Sequence, residues 1–157
     1  MKTVFLFGHG DAPSHIWREI YSAAEESIQK SDGEQIRFIV GHRGNFDSFA
    51  TGVLAVLKSL YPRITLLQLI AYYDPTRKPY LPMEVDGTYY PEGLEYVPKP
   101  FAIIKANQIM VDSCDEAICF VWREGSNTYK LLRRAQRRGI PVINLAEKHQ
   151  MNMKNDR

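Results

Sequence analysis

The segment Phe38-Ile39-Val40-Gly41-His42-Arg43-Gly44-Asn45-Phe46-Asp47-Ser48-Phe49-Ala50 most narrows the folds open to this chain. An apolar run of strand type ends in a glycine-framed basic turn, and that turn opens directly into an amphipathic helix. A strand that feeds a helix so quickly is the building block of layered α/β folds. The turn also has the chemistry of an anion cradle. Gly41 and Gly44 tolerate backbone angles that side chains resist, the N–H groups of a helix start carry the positive end of its dipole, and Arg43 can add a forked contact to a phosphate. Turns of this kind close ordinary β-α units as well, so both a binding and a purely structural role stay open.

The same unit recurs along the chain. Thr3 to Gly8 reads as a strand, Pro13 to Lys30 as a helix with Ile16, Ile20, Ala23, Ala24 and Ile28 on one face, and Ser31-Asp32-Gly33 as its stop. Strands follow at Ile36–Gly41 and Ile64–Ile70, with the helix Asn45–Leu60 between them. Phe101–Ser113 reads as a helix, Glu116–Trp122 as a strand, Ser126–Arg138 as a helix stopped by Gly139, and Pro141–Leu145 as the last strand. Near-continuous aliphatic strands alternating with helices predict a doubly wound, mainly parallel five-stranded Rossmann-like sheet with helices on both faces. Ligands of such sheets bind beyond the carboxyl ends of the strands, where strand order reverses.

Three strand-to-helix loops are expected there: Gly8-His9-Gly10-Asp11, Gly41 to Asp47, and Arg123-Glu124-Gly125-Ser126-Asn127-Thr128. Their small and polar residues suit anion binding and equally suit N-capping by Asp11, Asn45 or Ser126. From Ala71 to Pro98 the alternation lapses. Tyr72, Tyr73, Tyr80, Tyr89, Tyr90 and Tyr96 are interleaved there with Pro75, Pro79, Pro82, Pro91 and Pro98. Stiff backbone with broad ring faces could stack a base or sugar, or fold as a flap on the sheet edge or against a second subunit. Residues 1–146 are read as one domain carrying this insertion at 71–98, and 147–157 as a polar tail.

With 157 residues, 45% of them hydrophobic and 24% charged, the chain can bury one core. A formal charge of +2 does not advertise a nucleic-acid or acidic-membrane surface, and Lys130, Arg133, Arg134, Arg137 and Arg138 read as a solvated helical face. No membrane span or cleavable leader is visible, so the cytoplasm is the expected address and no membrane partner is expected. Cys114 and Cys119 lack CxxC spacing and read as reduced thiols; His9, His15, His42 and His149 lack ligand spacing, so neither metal nor cofactor is expected.

Three segments stand out together: Val4 to Gly8, then Gly41-x-x-Gly44-x-x-Asp47-x-x-Ala50, then Ala106 to Asp112 running through Asp115-Glu116-Ala117-Ile118 to Gly125-Ser126-Asn127-Thr128. They resemble the SLOG superfamily of Rossmann-like nucleotide-ligand proteins, and within it the small DUF1273-type bacterial members. The superfamily takes in the DprA-like and lysine-decarboxylase-like (cytokinin-activating phosphoribohydrolase) branches. The resemblance implies a site for a nucleotide or nucleotide-derived ligand, its phosphate held by Gly41 to Asn45 and a facing Gly125–Thr128 turn, with Gly8, His9 and Gly10 beside it. Asp47 then either accepts a hydrogen bond from a ribose hydroxyl or caps the helix start.

The phosphoribohydrolase branch is similar in this last turn but carries a PGGxGTxxE pattern there. Here Asn127 stands for the glycine and Leu131 for the acid. Leucine can serve neither as general base nor as nucleophile, so glycosidic cleavage by that route is not expected; Asp47, Glu124 or Asp11 would have to substitute. The first expectation is therefore a cytosolic binding or sensing module for a nucleotide-like small molecule. An N-glycosidic hydrolase or transferase on nucleoside monophosphates is the alternative, and a DprA-like accessory role in nucleic-acid processing is a weaker one. A two-fold homodimer through the Tyr/Pro segment and Phe101 to Met110 stays open.

Overall fold

The computed structural model describes residues 1–73, 75–76 and 81–147. Among these, six strands form one all-parallel sheet: β1 (Lys2–Gly8), β2 (Ile36–Val40), β3 (Ile64–Leu69), β4 (Gly87–Tyr89), β5 (Glu116–Phe120) and β6 (Val142–Asn144), in the order β4-β3-β2-β1-β5-β6. Helices α1 (Ile16–Lys30), α2 (Asn45–Leu60), α3 (Lys99–Ser113) and α4 (Asn127–Arg138) connect them. The doubly wound Rossmann-like architecture is as the alternation predicts, with one strand more than the five expected.

That extra strand is β4, inside the Tyr/Pro segment. It is three residues long and sits between Pro82 and Pro91, too brief to show a period of its own. Asp86 guides it into the sheet: its backbone N–H donates to the Leu66 carbonyl at 2.8 Å, its carboxylate accepts the Leu66 N–H at 2.8 Å, and it pairs with Lys58 of α2. Tyr80 and Pro79 lie outside the described residues, as does the tail after residue 147.

Every strand residue from Val4 to Phe7 is buried, because helices cover both faces of β1. Val4, Leu6, Phe38 and Leu66 join Ile16, Ile20, Phe46 and Leu54 in one core layer under α1 and α2. Phe5, Phe7 and Ile39 join Met110, Val111, Leu132 and Ala135 in the other, under α3 and α4. Cys114 and Cys119 are free thiols in that second layer; burial pushes the Cys114 thiol up to about 11 and that of Cys119 higher still. Among the described residues no helix is long and apolar enough to cross a membrane.

From β1 the chain winds outward through β2 and β3 to β4, then returns by α3 to place β5 on the other side of β1. Strand order therefore reverses at β1. The loops after β1, β2 and β5 meet at that crevice, which is where a sheet of this type presents ligands.

Candidate functional site

The β1 loop and the β2 turn are locked together. Gly44 has φ +92°, a left-handed angle that L side chains resist, and a Cβ on it would sit 2.6 Å from the Gly10 Cα. The Asn45 N–H donates to the Gly10 carbonyl at 2.9 Å and its side-chain amide donates to the Ala12 carbonyl at 3.3 Å. A Cβ at Gly8 would lie 2.5 Å from the Phe46 ring, so a glycine is what lets α2 seat this close to β1. Gly44, not Asn45, is the N-cap of α2, and His15, not Asp11, is that of α1. Ser126 does cap α4, its hydroxyl oxygen accepting the Tyr129 N–H at 3.1 Å.

His9 closes the third side. It is buried, and its Nε2 accepts the N–H groups of Trp122 and Arg123 at 2.9 and 3.1 Å, so it buckles the β1 loop to the β5 loop. Burial first, and the Arg123 charge second, hold its imidazole below the usual histidine range, which keeps Nε2 an acceptor. That nitrogen is engaged within the protein and ties the two loops together. Asp11 pairs with Arg123, whose guanidinium also lies over the Trp122 ring, 4.3 Å from its centroid.

The carboxyl edge carries two hollows that meet at the β2 turn. The larger, about 790 Å³, lies between α2 and a wall that includes Ile70, Ala71, Tyr72, Tyr73, Pro82 and Glu84. The smaller, about 260 Å³, occupies the crevice toward α3 and α4 and is lined by Gly8, Gly10, Ile103, Asn107, Thr128 and Leu131. Gly41, His42, Arg43, Asp47 and Ala71 line both. Among the described residues the Arg43 guanidinium has no hydrogen bond or ion pair, and the side chain is exposed.

Asp47 stands at this junction, half-buried. Its carboxylate accepts the Arg43 N–H at 3.0 Å and would lie 2.5 Å from a Cβ on Gly41. Burial pushes it up to about 7, against the lowering pull of the Arg43 N–H and the Arg43 charge. It thus ties down the turn just before the helix and still lines both hollows. His42 nearby is held low by burial and by Arg43; its Nδ1 donates to the Leu69 carbonyl at 3.2 Å, leaving Nε2 as an acceptor.

The expected facing turn is only partly there. Of Gly125, Ser126, Asn127 and Thr128, Thr128 alone lines the crevice; Asn127 opens on a surface groove beside Lys130 and Arg137, and Glu124 lines a separate hollow with Arg133 and Asn144. Glu124 and Asp47 therefore do not share a site. Leu131 does line the crevice, so the wall where a catalytic acid would stand is apolar. Gln68, which sequence reasoning misses, lines the larger hollow; its one signal is a polar residue on a strand face that carries Ile64 and Leu66. Among the described residues no group of three or more potential metal ligands forms.

The fold is similar to that of DNA processing protein A (DprA) from Streptococcus pneumoniae, at TM-score 0.58 and 15% identity, with 90% of this chain matching 49% of that one. It is likewise similar to DNA processing protein A from Helicobacter pylori, a structure described for its single-stranded DNA binding mode, at TM-score 0.55 and 14% identity, over 90% of this chain and 63% of that one. The chain thus spans about half to under two thirds of these proteins. No protein-family model matches the chain, and no curated protein matches its sequence.

Proposed function

We propose that this protein binds a nucleotide or nucleotide-derived small molecule at the junction of the two hollows, with its phosphate on Arg43. One observation carries the reading: a guanidinium without a protein partner among the described residues stands over a glycine turn that opens into both hollows. The turn's own Arg43 and Asn45 N–H groups are engaged by Asp47 and Gly10, so the side chain, more than the backbone, supplies the charge. The likeness of Gly41 to Ala50 to the SLOG pattern supports a nucleotide class of ligand. Arg43→Ala should weaken binding of nucleoside monophosphates by roughly 1.5–3 kcal/mol, the scale of a hydrogen bond to a charged group, while the melting point of the empty protein stays unchanged. Calorimetry at low salt reads this directly. Equal affinity of wild type and Arg43→Ala for each phosphate-bearing compound would remove Arg43 from the site.

Asp47 favours a second reading. A carboxyl group titrating near neutral pH in the main hollow suits general acid–base chemistry, here N-glycosidic cleavage of a nucleoside monophosphate. Free base released from AMP or dAMP, and lost in Asp47→Asn, would establish it. Binding of nucleic acid draws less support. Arg134 grips Asp112 with two 2.7 Å contacts, and Arg138 donates to the Val111 and Cys114 carbonyls, so the basic row of α4 is partly engaged in holding α3.

A further inference from the structure

The larger hollow has two walls of different character. On α2, the small residues Ser48, Gly52 and Ala55 follow one another at helical spacing, with Asp47 and Thr51 beside them in the same wall. Gly52 is a costly choice inside a helix, about 1 kcal/mol worse than alanine. Nothing in the packing requires it, since a Cβ there would meet only Trp17 Nε1, at an ordinary 3.7 Å. On the other wall stands Tyr73, largely exposed, its ring 6.3 Å from that of Tyr90 behind it. At the strand edge lies Gln68, paired in register with Val40, the residue just before the phosphate turn. Its side-chain amide has no hydrogen bond among the described residues.

We propose that this hollow is a nucleobase slot: the planar ring of the ligand lies between the small-residue face of α2 and Tyr73, and the Gln68 amide reads its edge. The proposal rests on the phosphate reading above and adds the part of the ligand that reading leaves open. A hollow whose lining combines an aromatic ring with small residues can take a planar heterocycle. A primary amide offers one donor and one acceptor side by side, the pattern that nucleobase edges answer. Neighbouring parallel strands lie about 4.8 Å apart, so Gln68 reaches the base of a ligand whose phosphate sits at the turn.

The test compares ribose 5-phosphate with AMP, GMP, CMP and UMP by calorimetry on wild type, Gln68→Leu and Gly52→Leu. Wild type should bind at least one nucleotide tenfold or more tightly than ribose 5-phosphate. Gly52→Leu fills the slot and Gln68→Leu removes the reader, so each should erase that tenfold advantage and leave ribose 5-phosphate affinity unchanged. A melting point at or above that of wild type in Gly52→Leu would show that the loss is local. The slot is overturned if the base adds nothing in wild type, or if Gly52→Leu keeps the full nucleotide preference. Ribose 5-phosphate binding that depends on Arg43 would in that case leave the phosphate reading standing; no binding of any compound would end both.

Discussion

The two ends of the sheet handle polar groups in opposite ways. At the amino end, Glu116 is buried and accepts from both Lys2 at 2.7 Å and Ser27 at 2.8 Å, Asp115 accepts the Thr3 N–H at 2.7 Å, and Arg63 donates to the Ile28 carbonyl at 2.7 Å. At the carboxyl end, Arg43 lacks a partner among the described residues and Asp47 is held far above its ordinary range. One end joins strands to helices with complementary charges. The other keeps an exposed guanidinium and a carboxyl group of raised proton affinity within reach of a hollow.

The sharpest way to break this contrast is to damage the open end where it is also structural. Gly44→Val places a branched side chain at φ +92° and against Gly10, so it should cost roughly 2–5 kcal/mol of stability from strain and overpacking, and abolish ligand binding with it. Thermal and denaturant unfolding would read the first, calorimetry the second. A stable, binding-competent Gly44→Val would show that the two loops are not locked as described.

Asp47 makes the stability of the open end depend on pH. Its folded value, about 7, lies above its ordinary 3.8, so the folded state holds the proton more tightly and the favourable contribution is fully present below about pH 4. It is lost as pH rises through 7. Asp47→Asn removes that loss and should be more stable than wild type at pH 8 by up to about 4 kcal/mol, because each tenfold gain in proton affinity on folding corresponds to about 1.36 kcal/mol. At pH 4 the substitution should bring no gain. Unfolding of both proteins across this range decides it, and a constant difference between them would reject a buried, strained carboxylate.

Glu116→Gln tests the closed end with a smaller expected effect. Loss of the charged partner of Lys2 should lower stability by roughly 1.5–3 kcal/mol, a hydrogen bond to a charged group, and leave nucleotide affinity as it was. A changed affinity would mean that the two ends communicate.

The elements from Thr3 to Leu60 are legible in the sequence because their apolar periods are long and their stops are glycines and a short polar turn. β4 is not, since three residues between prolines carry no period, and Asp86 directs them from twenty residues beyond Leu66. At the carboxyl edge, the turn of Gly41 to Asp47 is readable from local chemistry. The partners of His9, 113 and 114 residues away, and the hollow that Glu124 lines are not, because both depend on how distant loops meet. Gln68 is hidden in an otherwise ordinary strand.

The close approach of the β1 loop to the β2 turn also bears on how this molecule could diversify. Side chains at Gly8 and Gly44 would meet a ring and a backbone already in place, so mutation finds almost no viable neighbours there. Ser48, Gly52 and Gln68 carry no such burden. Descendants of this chain could therefore vary along α2 and β3 while the locked β2 turn passed between them nearly unaltered.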